Sequence, residues 1–179
     1  MMMKFAGLVL AGLMALAGSA QAETARELDA SVSTTLESFY VQVHGGRELA
    51  GRARGVLVFP SIIKAGLGLG GEYGEGALRI GGRTEGYYSS ASASIGFQLG
   101  VQERSVVILF MTEDALYKFR QTNGWKAGVD ASVAILKLGA GGEVDTNKVA
   151  NPVLGFILDP KGLMYNLTLE GSKISRISK

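Results

Sequence analysis

The stretch from Ser89 to Val101 constrains the fold most, because Ala91, Ala93, Ile95, Phe97, Leu99 and Val101 alternate there with small or polar residues. A period of two over so long a run belongs to a β-strand, whose successive side chains point to opposite sides of a sheet. The pattern assigns the apolar residues to a buried face. The other face carries Ser90, Ser92, Ser94, Gly96, Gln98 and Gly100, side chains short enough for a second surface to approach the backbone. An N-terminal helix is expected to pack there.

That helix is announced by Thr24-Ala25-Arg26-Glu27, a capping box in which hydroxyl and carboxylate each satisfy a free amide. Leu28, Val32, Leu36, Phe39 and Val43 follow on one stripe, and Gly45-Gly46 ends the segment. A short second helix is expected over Arg47 to Arg54. From Gly55 the texture becomes β-like. Val56 to Phe59 is closed by Pro60; Ala65, Leu67 and Leu69 alternate with glycines; and Leu78 to Ile80 reaches Gly81-Gly82, a pair suited to a tight hairpin. Val106 to Met111 reads as a strand, and Thr112 caps a short inserted helix that ends before Asn123-Gly124. Ala127 to Ile135 alternates again. Val153 to Leu158 and Leu163 to Leu169 flank the turn signal Asp159-Pro160-Lys161-Gly162, and Lys173 to Lys179 suits an edge strand. The expected fold is α+β: one β-rich domain with a mostly antiparallel, barrel-like or sandwich-like sheet, an N-terminal helix and one short inserted helix.

Residues 1–22 read as a signal peptide. Lys4 precedes an apolar run from Phe5 to Ala17 that is short for a bilayer span, and Ala20-Gln21-Ala22 places cleavage after Ala22. The chain has no cysteine, which excludes a lipoprotein anchor, disulfides and thiol catalysis. The expected location is the periplasm. The remaining 157 residues, 23–179, suit one domain, and their 17 basic against 16 acidic residues give no electrostatic case for nucleic acid.

Catalytic signals are weak. Gly66-x-Gly68-x-x-Gly71 fits a dinucleotide-binding spacing, but Glu72-Tyr73-Gly74-Glu75-Gly76 does not sustain the helix that must open there to present amides to a pyrophosphate. His44, the only histidine, sits beside two glycines at a helix end. No spacing pairs Glu72, Glu75, Asp130, Glu143 or Asp145 as acid and base, and Asp145-x-Asn147 offers too few oxygens for calcium. Asn166-Leu167-Thr168 is a glycosylation sequon by chance inside a strand. No catalytic residue, metal or cofactor is assigned, and a carboxylate hydrolase has only unpaired acids behind it.

The better signal is local charge. Arg47, Arg52, Arg54 and Lys64 against Glu48 give one window a net +3, and Pro60-Ser61-Ile62-Ile63 lies inside it. Basic residues beside apolar ones suit an anionic membrane surface, each charge contributing about 1 kcal/mol. Arg52, Arg54, Ile62, Ile63 and Lys64 are therefore the candidate lipid contacts. The second reading is a structural or envelope-stress protein that binds another protein through the Gly/Ser-rich sheet face.

From Arg54-Gly-Val-Leu-Val-Phe-Pro-Ser-Ile-Ile-Lys-Ala-Gly66 through Gly70-Gly-Glu-Tyr-Gly-Glu-Gly76, the sequence resembles the SYLF lipid-binding domain family. The resemblance continues through Tyr87 to Phe97, Phe110 to Phe119, Gly124 to Asp130 and Gly162 to Gly171, and points to the exported bacterial branch. It implies a lipid-binding module without catalytic residues. Eukaryotic relatives bind phosphoinositide-containing membranes and the yeast actin-patch branch also binds actin filaments. Here a signal peptide and a nearly neutral helix replace the eukaryotic membrane-binding helix, so neither lipid class nor actin binding is carried over.

Overall fold

The computed structural model describes residues 23–136, 149–161, 169 and 171–179, with the backbone alone at 67–68, 94–99 and 159–161. The signal-peptide reading, Glu143, Asp145-x-Asn147, the sequon and most of the Leu163 to Leu169 strand lie outside the described residues.

Helix α1, Ala25–Gln42, begins at the expected capping box. The Glu27 amide donates to the Thr24 hydroxyl at 3.3 Å, and the Thr24 amide donates to the Glu27 carboxylate at 2.9 Å. The Thr24 amide holds the Glu27 carboxyl below its ordinary range. Leu28, Val32, Leu36 and Phe39 are buried along one stripe, and after left-handed Gly45 the short α2, Gly46–Arg52, follows.

The strand fragments read separately from the sequence are continuous. β1, Gly55–Ile80, and β2, Arg83–Phe110, form one long antiparallel ribbon from Gly55↔Phe110 to Ile80↔Arg83. Gly81 and Gly82 join them with φ +57° and +78°, the two positive angles that a type I′ hairpin requires. The register shifts between Phe59 and Ile62, between Leu67 and Leu69 and between Leu78 and Arg79, irregularities of the kind that bend a strand. The ribbon bends far enough to fold over itself. A Cβ on Gly76 would lie 2.1 Å from the carbonyl oxygen of Val58, and one on Gly74 2.4 Å from that of Ser61. Only glycine permits these two crossings.

Phe110 leads into α3, Glu113–Gln121, capped by Thr112, and then β3, Trp125–Lys126; β4, Ala134–Leu136; β5, Val153–Lys161; and β6, Lys173–Ile177. The sheet runs β3-β6-β2-β5-β4, with β1 on β2, and is curled into a half-barrel. Its pairings are antiparallel except β4 with β5. The α+β, β-rich expectation holds.

Two cores lie on opposite sides of this sheet. Inside the curl, Leu57, Phe59, Ile62, Val106, Ile108 and Phe110 pack with Leu116 and Phe119 of α3 and with Trp125. Outside it, the α1 stripe covers Val58, Ala77, Val107, Leu109, Leu154 and Phe156. Around the described part of the opening stretch the expected faces are reversed. Ser90 is buried and Ser92 half-buried, whereas Ala91 and Ala93 are exposed and Val101 is 63% exposed. The inner face must fit between two crossing layers, so it takes the small residues; α1 lies on the outer face nearer the start of β1.

Two other expectations change. The Ala127 to Ile135 alternation is broken by a turn at Gly128, φ +79°, with the Asp130 carboxylate accepting from the Lys126 amide at 2.6 Å. β5 does not end at Leu158 but runs through Asp159 and Pro160 to Lys161; Gly162, the last residue of the expected turn, lies outside the described residues.

Candidate functional site

The basic window places its arginines at the junction of α1, α2 and the β1–β2 hairpin. The amide of Arg54 donates to the Phe110 carbonyl at 2.7 Å, which fixes its backbone at the mouth of the ribbon. Its side chain remains more than half exposed, 3.6 Å from Glu113. Arg47 leaves α2 toward α1, where its guanidinium lies 3.1 Å from Glu37 and 4.3 Å from the centre of the Tyr40 ring. Both contacts orient a planar cation at little cost in burial.

Arg79, which the charge window did not include, comes from the far end of β1. Its Nη2 donates to the Asp29 carbonyl at 3.0 Å and to the Ser33 hydroxyl at 2.8 Å. Its Nε is buried and has no hydrogen-bond partner among the described residues. Nothing local in sequence links Arg79 to Arg54; the bend that folds the end of β1 over its start brings them together.

Arg47, Arg54 and Arg79 line a cleft of about 620 Å³ whose walls include Leu36, Tyr40, Ala53 and Val56 and whose rim reaches Gly81 and Gly82. Glu37 partly offsets the positive charge. Guanidinium groups beside an apolar wall suit an amphiphile with an anionic group, since planar donors match phosphate or carboxylate oxygens.

The other sequence candidates separate. Arg52 is exposed at the end of α2. Ile62 is 1% exposed and belongs to the inner core, so it is closed to a membrane, while its neighbour Ile63 is 50% exposed. Lys64 is half-buried further along β1, toward the bend. The strand period explains the split, because adjacent residues face opposite ways.

The acidic residues are engaged elsewhere. Glu72 is ion-paired with Arg104, Glu75 with Lys179, and Asp130 closes its turn. His44 is exposed between α1 and α2. Among the described residues, no three of His, Asp and Glu are grouped to hold a metal, and no helix is long and apolar enough to cross a membrane.

Residues 91–179 match the family Ysc84, described as Las17-binding protein actin regulator. No curated protein matches the chain.

Proposed function

We propose, on the premise that the chain belongs to the SYLF family through residues 91–179, that it is a non-enzymatic lipid-binding protein of the periplasm. It meets an anionic membrane surface through its basic and apolar segment. The observation that carries this reading is the cleft in which Arg47, Arg54 and Arg79 stand beside Leu36 and Val56. Arg54 supplies charge at the cleft, and exposed Arg52 and Ile63 with half-buried Lys64 extend the contact on either side of it in sequence. No residue is assigned a catalytic role and no cofactor is invoked.

Export rests on residues 1–22 and their Ala20-Gln21-Ala22 cleavage pattern. Sequencing the N-terminus of protein recovered from a periplasmic fraction tests it: a chain starting at Glu23 supports export, and an intact Met1 in the cytoplasm ends that part of the reading.

Sedimentation with phosphatidylglycerol vesicles tests lipid binding. The protein is expected to pellet with anionic but not neutral vesicles at low salt, and an Arg54→Glu, Lys64→Glu variant is expected to stay in solution. Equal binding of that variant excludes this segment. The alternative, a structural or envelope-stress protein docked on another protein through the Gly/Ser face, keeps only part of its surface where that face is described, with Ser90 buried, Ser92 half-buried and Gly100 exposed.

A further inference from the structure

The bend of the ribbon has a polar interior and an apolar exterior. Tyr73 of β1 pairs with Ala91 of β2, Gly71 with Ala93, and Ala65 with Val101, and paired residues share a face. That face points away from the fold: Ile63, Leu69, Tyr73 and Val101 are between 50% and 73% exposed, and Ala65, Ala91 and Ala93 are exposed with them. Among the described side chains of the ribbon, no charge lies on this face between Ile63 and Tyr73 or between Ala91 and Val101. At the Ile63 end the face is bordered by exposed Glu103, the register partner of Ile63, which accepts from the Ser61 hydroxyl at 2.7 Å, while Arg104 and Glu72 are turned inward and pair with each other.

One end of the apolar field is bordered by a row that crosses four strands. Tyr73 of β1 pairs with Ala91 of β2, Ala91 with Lys173 of β6, and Lys173 with Lys126 of β3. Both lysines are exposed, and neither is in an ion pair among the described residues. Val129, 72% exposed, stands beside them, its amide donating to the Lys126 carbonyl.

We propose that this face is a membrane-seating surface, in which Leu69 and Val101 enter the acyl layer of an anionic bilayer while Tyr73, Lys126 and Lys173 sit at the level of the phosphates. Outward apolar residues on paired strands with polar groups turned inward are the pattern of sheets that face lipid. A border of tyrosine and lysine is the composition that anchors such a surface at the headgroups. The charge favours an anionic bilayer: Lys126 and Lys173 are outside any ion pair among the described residues, whereas of the carboxylates at the edges of the face Glu75 is paired with Lys179 and Glu103 accepts from the Ser61 hydroxyl. The inference rests on the lipid-binding reading but uses a surface separate from the arginine cleft.

The cysteine-free chain lends itself to the test. Single substitutions Leu69→Cys, Val101→Cys and, as a comparison on α1, Val41→Cys are each labelled with an environment-sensitive fluorophore and mixed with phosphatidylglycerol–phosphatidylcholine vesicles. Emission from positions 69 and 101 is expected to shift to the blue and to be quenched by spin-labelled acyl chains, with position 41 unchanged. Unlabelled Leu69→Asp, Val101→Asp protein, with its native circular dichroism retained, is expected to bind at least about tenfold more weakly. Protein that pellets with vesicles while positions 69 and 101 stay in water overturns this face and leaves the lipid-binding reading standing. Failure to pellet at all overturns both. A blue shift without vesicles that grows with protein concentration assigns the face to a second copy and overturns the proposal.

Discussion

Arg104 of β2 donates from Nη2 to both carboxylate oxygens of Glu72 of β1, at 2.9 Å each, although the two are not register partners. Arg104 pairs in the sheet with Ile62, and Glu72 with Ser92. The ion pair therefore joins the two halves of the folded ribbon across its interior, where the side chains are 2% and 4% exposed. Ser172, just before β6, lies 3.5 Å from the same carboxylate.

Removing one partner leaves a buried charge without its counterion. Glu72→Gln or Arg104→Met alone is expected to destabilise the fold by about 3–5 kcal/mol in urea unfolding. The double variant Glu72→Leu, Arg104→Met is expected to recover much of that loss, because neither charge then needs to be desolvated. A double variant no better than either single would show that packing, not charge, governs the crossing.

The glycine crossings predict a sharp contrast within one strand. Gly76→Ala puts a methyl group against the Val58 carbonyl and is expected to cost about 3 kcal/mol or more, from overpacking that backbone cannot relieve. Gly71→Ala meets nothing closer than 4.0 Å and is expected to change stability by less than about 1 kcal/mol. Thermal unfolding of the two variants compares them directly.

The docking of α1 carries a pH signature. Tyr87 donates to Asp29 at 3.0 Å, and Thr84 donates to the other carboxylate oxygen at 2.8 Å. Burial, and then the hydrogen bond and negative charge of Asp29, raise the Tyr87 hydroxyl above its ordinary value. The native state thus holds this proton to higher pH than the unfolded chain does. Its contribution is complete below the ordinary tyrosine range near pH 10 and is lost as pH rises through the raised value. Tyr73 and Tyr88 are raised too, so alkaline destabilisation is expected in the parent protein and a shallower slope in Tyr87→Phe. Unfolding midpoints between pH 8 and pH 11 measure the difference; identical slopes would remove Tyr87 from the account.

At the cleft, Arg47→Gln with Arg54→Gln removes two positive charges while keeping a polar side chain at each position. At about 1 kcal/mol per charge, affinity for anionic vesicles is expected to fall roughly thirtyfold, and its dependence on salt to weaken. Titration at two ionic strengths checks both effects. Unchanged affinity would place the lipid contact away from the cleft.

The local elements were legible in the sequence because their signals are local. Thr24 with Glu27, Thr112 before Glu113, and Gly81-Gly82 each act within a few residues of chain, and each structure forms where its signal lies. The orientation of the opening stretch was not. Alternation separates two faces but does not say which one meets the core, and here the decision belongs to contacts between Gly74 and Ser61, Gly76 and Val58, and Glu72 and Arg104. The site divides in the same way. Arg54, which lines the cleft, lies in the local window, whereas Arg79 joins the cleft only because the bend of β1 returns it to α1. Lys126 and Lys173 form one row only through their pairing in the sheet.

The two-glycine turn between β1 and β2 also orders the events of folding. Pairs beside Gly81 and Gly82 close over a few residues, whereas Gly55 meets Phe110 only at the far end of the ribbon. Zippering outward from the turn lets each new pair close a short loop, which keeps the entropic barrier low despite the length of the strands. The self-crossing, which needs both arms already paired, then comes late, and a hairpin nucleated one residue out of step would present the wrong residues to that crossing throughout.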